Sequence, residues 1–274
     1  MKENIVGLTN DAESSTALSE PKLSHIWGIT VLTIACFVAV VISGIDTLGK
    51  ATMIIAELTI IMPALVYLHA TGFSVRETLR LHPVGWPVVG LSILLGLTLS
   101  FVASAVDTLS KSFLPMPEDL RRSLESLLTM ESMSDAILIF SGLVFVAAVC
   151  EELFFRGFLQ NALERQKGVR SAVVVSSLVF GIVHFNPWWF VSILFAGVIL
   201  GIIAFVSGSV YPGIIAHGIN NGLSLLIANA TRSEEYSWVS ELETIPVPLA
   251  VASAVILTLG IIRLQRNKPP TSVT

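Results

Sequence analysis

The sequence predicts an all-α, polytopic integral membrane protein, and three observations carry that reading. Of its 274 residues, 53% are hydrophobic and only 13% charged, whereas soluble domains run near a quarter charged. Mean hydropathy is +0.80. The apolar residues also gather into windows close to the roughly 20 residues that a helix rising about 1.5 Å per residue needs to cross about 30 Å of hydrocarbon.

Eight such windows follow one another. They run 26–45, 51–71 and 86–106, then a fourth opens at Ala136 and continues through Val149 into Glu151 and Glu152, followed by 171–185, 188–206, 210–230 and 246–264. The first is too long for a signal-peptide core and no small-residue cleavage pattern follows it, so it reads as a retained span. Residues 1–22, rich in Ser, Thr, Glu and Asn, read as a flexible cytosolic tail. The second window contains Glu57, Pro63 and His69. Segment 72–85 sets Val75, Leu79 and Leu81 among Arg76, Glu77 and Arg80, a pattern that fits a short interfacial amphipathic helix and a solvated loop equally. No internal repeat is present, so the inverted-repeat signature of many transporters is missing. The chain thus divides into a polar tail (1–25), N-terminal helices and loops (26–135), a polar-residue-bearing core (136–230), and a last loop, helix and short tail (231–274).

Charge excludes some functions and orients the chain. A net charge of −4, from 16 basic and 20 acidic residues with no basic block, gives no footprint for nucleic acid. Cys36 and Cys150 both lie in apolar runs, which rules out a disulfide framework or a multi-cysteine zinc site. With eight spans, Lys2, Lys22, Arg76, Arg80, Arg165, Lys167, Arg170, Arg263, Arg266 and Lys268 fall on one side and Lys50, Lys111, Arg121, Arg122 and Arg232 on the other. That excess places both termini in the cytosol.

Ionisable side chains in hydrocarbon cost about 2.5–3.5 kcal/mol each on insertion scales, so they face a protein interior or a watery cavity. Here they cluster: Glu151, Glu152 and Arg156 on the fourth span, His184 on the fifth, and His217, Asn220 and Asn221 on the seventh. The polar stretch 164–170 marks the tip of a hairpin and sets Glu151 and His184 at matching depth. His217 lies nine residues beyond Gly208, roughly 13 Å along a helix. A carboxylate, two imidazoles and an amide can therefore converge in one cytosol-facing polar cavity. Glu152 and Arg156 stand four apart with the acid first, the favourable order for an ion pair on one face. Glu151 is turned about 100° from Glu152 and is free to point elsewhere. Phe180 with His184, and His217 with Asn221, share faces by the same spacing.

Three motifs in this order, Glu151-Glu152-Leu-Phe-Phe-Arg156, Phe180-Gly-Ile-Val-His184 and His217-Gly-Ile-Asn-Asn221, resemble those of the CAAX protease and bacteriocin-processing family (CPBP, or Abi) of intramembrane endopeptidases. Its eukaryotic relative is the type II CAAX prenyl protease Rce1. The resemblance spans about 136–230, marking that segment as a CAAX-protease-like catalytic core. It implies that Glu151 and His184 activate the attacking water, that His217 and Asn221 hold the oxyanion, and that Glu152 and Arg156 support them. It also implies a membrane-bound or prenylated polypeptide as substrate, the lipid bilayer as setting and a bacterial plasma membrane as location. Amide hydrolysis needs a base for water and preorganised donors for the tetrahedral oxyanion, and these residue types supply both.

Other readings stay open on the sequence. Glu151, His184 and His217 form an acceptable zinc ligand set with a free position for water; the absence of an HExxH pair and the poor ligand quality of Asn favour a metal-independent glutamate protease. An ion-coupled transporter would use the same intramembrane acids, and an idle bacteriocin-immunity or scaffold protein would bind a partner in the cavity. Residue by residue, Glu152 with Arg156 is also a plain helix-positioning ion pair, Phe180 is packing, Asn220 faces away, and Ser192 and Ser224 lack a nearby base. Glu57 and His69 fall outside the motifs and either line the cavity, pair with headgroups or pack.

Overall fold

A computed structural model of the chain describes residues 21–230 and 245–266. Every regular element among the described residues is a helix. We label them α1 (Leu23–Leu48), α2 (Ala51–Thr71), α3 (Val75–Thr78), α4 (Trp86–Phe113), α5 (Glu118–Leu128), α6 (Met133–Lys167), α7 (Val169–Ile182), α8 (Phe190–Ser207), α9 (Tyr211–Ala230) and α10 (Val247–Arg266). Most of the polar tail, and the acidic loop before the last span, lie outside the described residues.

All eight apolar windows are helical, but six rather than eight are long and apolar enough to cross a membrane: α1, α2, α4, α6, α8 and α10. The chain is a multi-pass membrane protein. The two windows that fall short do so for different reasons. Helix α7 is apolar but only 14 residues long. Helix α9 has 20 residues, but His217, Asn220, Asn221 and three glycines dilute its apolar content. The fourth window is part of one continuous 35-residue run, α6, in which Ser141–Val146 and Glu152–Gln160 are wound as π-helix.

Helix α6 is the axis of the molecule. On one side its Phe154, Phe155, Phe158 and Leu159 pack with Ile60, Ile61, Ala64 and Leu68 of α2 and Ile26 of α1. Leu95 and Leu99 of α4, Leu200 and Ile203 of α8, Ala216 of α9 and Leu257 of α10 form a second core, to which α6 contributes no residue. Small residues set the spacing of that core, as they do between membrane helices generally. A Cβ at Gly96 would stand 2.7 Å from the Ala216 carbonyl oxygen.

Loops gather at two ends in the partition that the basic residues describe. At one end the Arg80 guanidinium pairs with Glu164, Asn161 donates to the Thr78 carbonyl at 2.9 Å, and Ser209 donates to the His82 carbonyl at 2.7 Å. At the other, Lys50 donates to Asp135 at 3.0 Å and to the Thr129 carbonyl at 2.8 Å. Trp188 there donates to the Pro115 carbonyl at 3.2 Å.

Segment 72–85 is helical for one exposed turn only, shorter than the interfacial helix its pattern suggests. It holds the single turn α3, whose Ser74 hydroxyl accepts the Glu77 amide hydrogen, and it then folds onto α6. Leu79 is buried against Gly157, where a Cβ would meet its carbonyl oxygen at 2.9 Å. Helix α5 lies between the third and fourth apolar windows, where the sequence reading places no helix. Its Glu118 is held below the ordinary carboxylate range, at about 2, by the hydrogen bonds of Arg121 and Arg122.

Candidate functional site

Polar residues recur every four positions along the lower half of α6, at Glu152, Arg156, Gln160 and Glu164. In an α-helix such a row drifts around the axis; the wider π-helical turn, bonded i to i+5, holds it closer to a line. The row faces α8. Arg156 Nη2 donates to the Gly197 carbonyl at 3.2 Å and Gln160 Nε2 to the Gly201 carbonyl at 2.9 Å. The two glycines, four apart, let the helices approach: a Cβ at Gly201 would stand 2.8 Å from Gln160 Oε1.

Arg156 also stands 2.9 Å from Glu152 Oε1, an ion pair shut off from solvent, and its guanidinium lies over the Phe180 ring, 4.3 Å from the centroid. Glu152 Oε1 accepts as well from His217 Nδ1 at 3.1 Å. Glu152 can approach α9 this closely because residue 213 is glycine, where a Cβ would sit 2.7 Å from Glu152 Oε2. Since a carboxylate only accepts, Nδ1 of His217 carries hydrogen. The other ring nitrogen, Nε2, faces Glu151 Oε2 at 3.6 Å.

His184 stands in the turn just past the end of α7. Its Nδ1 contacts the Phe180 carbonyl at 2.7 Å, so Nδ1 is the donor and Nε2 keeps a lone pair in the neutral ring. Phe180 is the hub of the group. Edge-on contacts put its ring centroid 4.8 Å from that of His184 and 5.9 Å from that of His217.

Glu151 and His184 line one cavity of about 140 Å³, with Thr33, Ile34 and Phe37 from α1, Glu57 and Ile60 from α2, and Phe154, Phe155 and Val183. Glu151 thus has one face toward His217 and another toward a small, mostly apolar chamber.

Residues 133–223, which contain every one of these groups except those on α1 and α2, match the family model of the type II CAAX prenyl endopeptidases, Rce1-like. The chain carries an Rce1-like domain. No curated protein and no solved structure matches it. The Rce1-like family is one of endopeptidases, in keeping with the resemblance that the three motifs show.

Within the Rce1-like segment the sequence-predicted residues meet unevenly. Glu152 and Arg156 pair as their spacing requires, and Glu151 points away from that pair. His184 and His217 both meet the Phe180 ring, and Glu151 lies 3.6 Å from His217 and shares the chamber wall with His184. Asn221 is within α9 but turned to α6, where its Nδ2 donates to the Leu143 carbonyl at 3.0 Å and its Oδ1 accepts from Asn220 at 3.2 Å. Neither His217 nor Asn221 lines the cavity. Among the described residues no three His, Cys, Asp or Glu side chains are placed to hold a metal ion, so the zinc set of Glu151, His184 and His217 finds no matching geometry.

Outside the Rce1-like segment, His69 is exposed at the end of α2. Glu57 is in the chamber, its carboxyl within hydrogen-bonding reach of Glu151. Sequence reasoning also missed Gln160. The i to i+4 continuation of Glu152 and Arg156 was the signal that could have found it.

Proposed function

We propose that the protein is an intramembrane endopeptidase that hydrolyses a peptide bond of a membrane-associated polypeptide, with prenylated CAAX-type proteins as the substrate class. The observation that carries this reading is the position of Glu151, which lines a small chamber with His184 and lies 3.6 Å from His217, inside the segment matched to an endopeptidase family.

In this mechanism a water lies between the Glu151 carboxylate and His184 Nε2. Glu151 takes its proton as the water oxygen attacks the scissile carbonyl carbon, and the carbonyl π electrons move onto oxygen. The oxyanion falls to His217 and Asn221, neither of which lines the chamber, so Asn221 turns toward it from the Leu143 carbonyl when substrate binds. Asn221 has a second amide hydrogen beyond the one given to Leu143, and His217 offers Nε2, the ring nitrogen not bonded to Glu152. When the tetrahedral intermediate collapses, the C–N bond breaks and the leaving nitrogen takes the proton from Glu151. Glu152 and Arg156 act through His217: they fix its ring and the tautomer of its Nδ1. The termini are proposed to lie in the cytosol, following the basic-residue excess.

The test is Glu151→Gln in the full-length protein, purified in detergent and incubated with an internally quenched farnesylated CAAX peptide, with and without chelator. Removal of the base should lower turnover by about 100-fold or more, with peptide binding retained. Cleavage by the Gln variant at the wild-type rate would sink the assignment, and loss of wild-type activity on chelation would give the base's role to a metal-bound water.

A further inference from the structure

We propose that Glu57 of α2 is a positioning residue for Glu151, donating the proton of a carboxyl–carboxylate hydrogen bond that fixes the Glu151 carboxylate toward the chamber. The inference rests on the reading of Glu151 as base, and it concerns a helix outside the matched segment 133–223.

Three observations converge on it. First, both carboxyls line the same chamber and lie within hydrogen-bonding reach of each other. Second, Glu57 Oε2 is sealed from solvent and has no donor among the described residues. Third, the nearby candidates for that donor are committed elsewhere. Arg156 is held by Glu152 and the Gly197 carbonyl. His217 faces Glu152 and Glu151. Thr33, the one hydroxyl on the chamber wall, has its oxygen unpartnered too, so it does not serve Glu57. No lysine or arginine lines the chamber.

Two carboxylates in contact with no cation between them repel, whereas one shared proton turns the pair into an O–H···O⁻ hydrogen bond, among the strongest in proteins. Charge decides which oxygen keeps it. Glu151 has two imidazoles for neighbours, His217 at 3.6 Å and His184 on the chamber wall, a more polar setting than that of Glu57 and so the better place for the anion. Glu57 shares the chamber with no lysine or arginine, and the one imidazole on the wall, His184, gives its Nδ1 hydrogen to the Phe180 carbonyl, which favours the neutral acid on Glu57. The proton stays on Glu57 through the reaction. Its hydrogen bond holds one Glu151 oxygen, so the free lone pair points at the water.

Glu57→Gln and Glu57→Leu in the full-length protein separate this role from packing, using the same farnesylated peptide in micelles. The Gln amide still donates and should keep kcat within about threefold. The Leu variant should lose about tenfold or more in kcat with KM little changed, the size of effect a misplaced catalytic group produces, while its thermal unfolding midpoint holds. Independently of activity, the infrared carbonyl-stretch band of a protonated carboxylic acid should be present at neutral pH in the wild type and gone from both variants. A Leu variant at wild-type kcat, a Gln variant that falls as far as Leu, or an unchanged infrared band would overturn the proposal. If Glu151→Gln stays fully active while the infrared band behaves as stated, the base assignment has failed and the carboxyl pair stands.

Discussion

Arg156 is among the largest fully buried side chains of the described residues, and its charge is offset by three neighbours at once: the Glu152 carboxylate, the Gly197 carbonyl and the face of Phe180. Taking one partner from a buried pair leaves the other uncompensated, which costs about 3–5 kcal/mol. Arg156→Met should therefore lower unfolding stability in detergent by about that amount, and adding Glu152→Gln should recover most of it. This pairing was legible in the sequence because acid and base stand four residues apart on one helix. So was the separate direction of Glu151. The Asn221 contact was not legible, since the Leu143 carbonyl it meets lies in a π-wound turn, and nothing in an apolar run of letters marks such a turn. Glu57 was visible as an intramembrane acid, but one helix's pattern does not say which distant helix it will face. Its partner is 94 positions away, the difference between 57 and 151.

Helices α6 and α8 show what the pattern of a single element reveals and what it withholds. Gly197 and Gly201 stand at a spacing common where membrane helices touch, yet the sequence does not say that their carbonyls receive Arg156 and Gln160. Gly201→Ala should push its new methyl into Gln160 Oε1, 2.8 Å from the ideal Cβ position, and overpacking of this kind costs about 1–3 kcal/mol. Gly90 of α4, where a Cβ meets nothing within 4 Å, is the control: Ala there should be neutral or stabilising by up to about 1 kcal/mol. Chemical denaturation of the two variants side by side measures the difference. Helix α5 was not legible as an apolar window because it is short and carries charges throughout. Its signature is short-range, with Glu118, Arg121, Arg122 and Glu125 spaced to bond along one face.

The bundle is tied at both ends by ion pairs that span long stretches of chain, and the two ties are unequal. Arg80 and Glu164 retain 11% and 9% side-chain exposure, Lys50 and Asp135 21% and 25%. Arg80→Met should cost about 2–3 kcal/mol, as for a charged hydrogen bond lost from a largely dry setting, and Lys50→Met no more than about 1 kcal/mol. Unfolding midpoints of the two variants in the same detergent test the order. The helical, multi-pass character of the chain and the sorting of its loops to two ends were readable from composition and basic residues. The number of full-length spans was not, because α7 and α9 trade length or apolarity for the residues they carry. That trade has a consequence for the surrounding lipid. A helix of 14 residues covers about 21 Å of a hydrocarbon layer about 30 Å thick, and bilayers answer such hydrophobic mismatch by thinning locally. A dimple where α7 stops, beside His184, would bring the headgroup boundary toward the place where the proposed hydrolysis needs a supply of solvent.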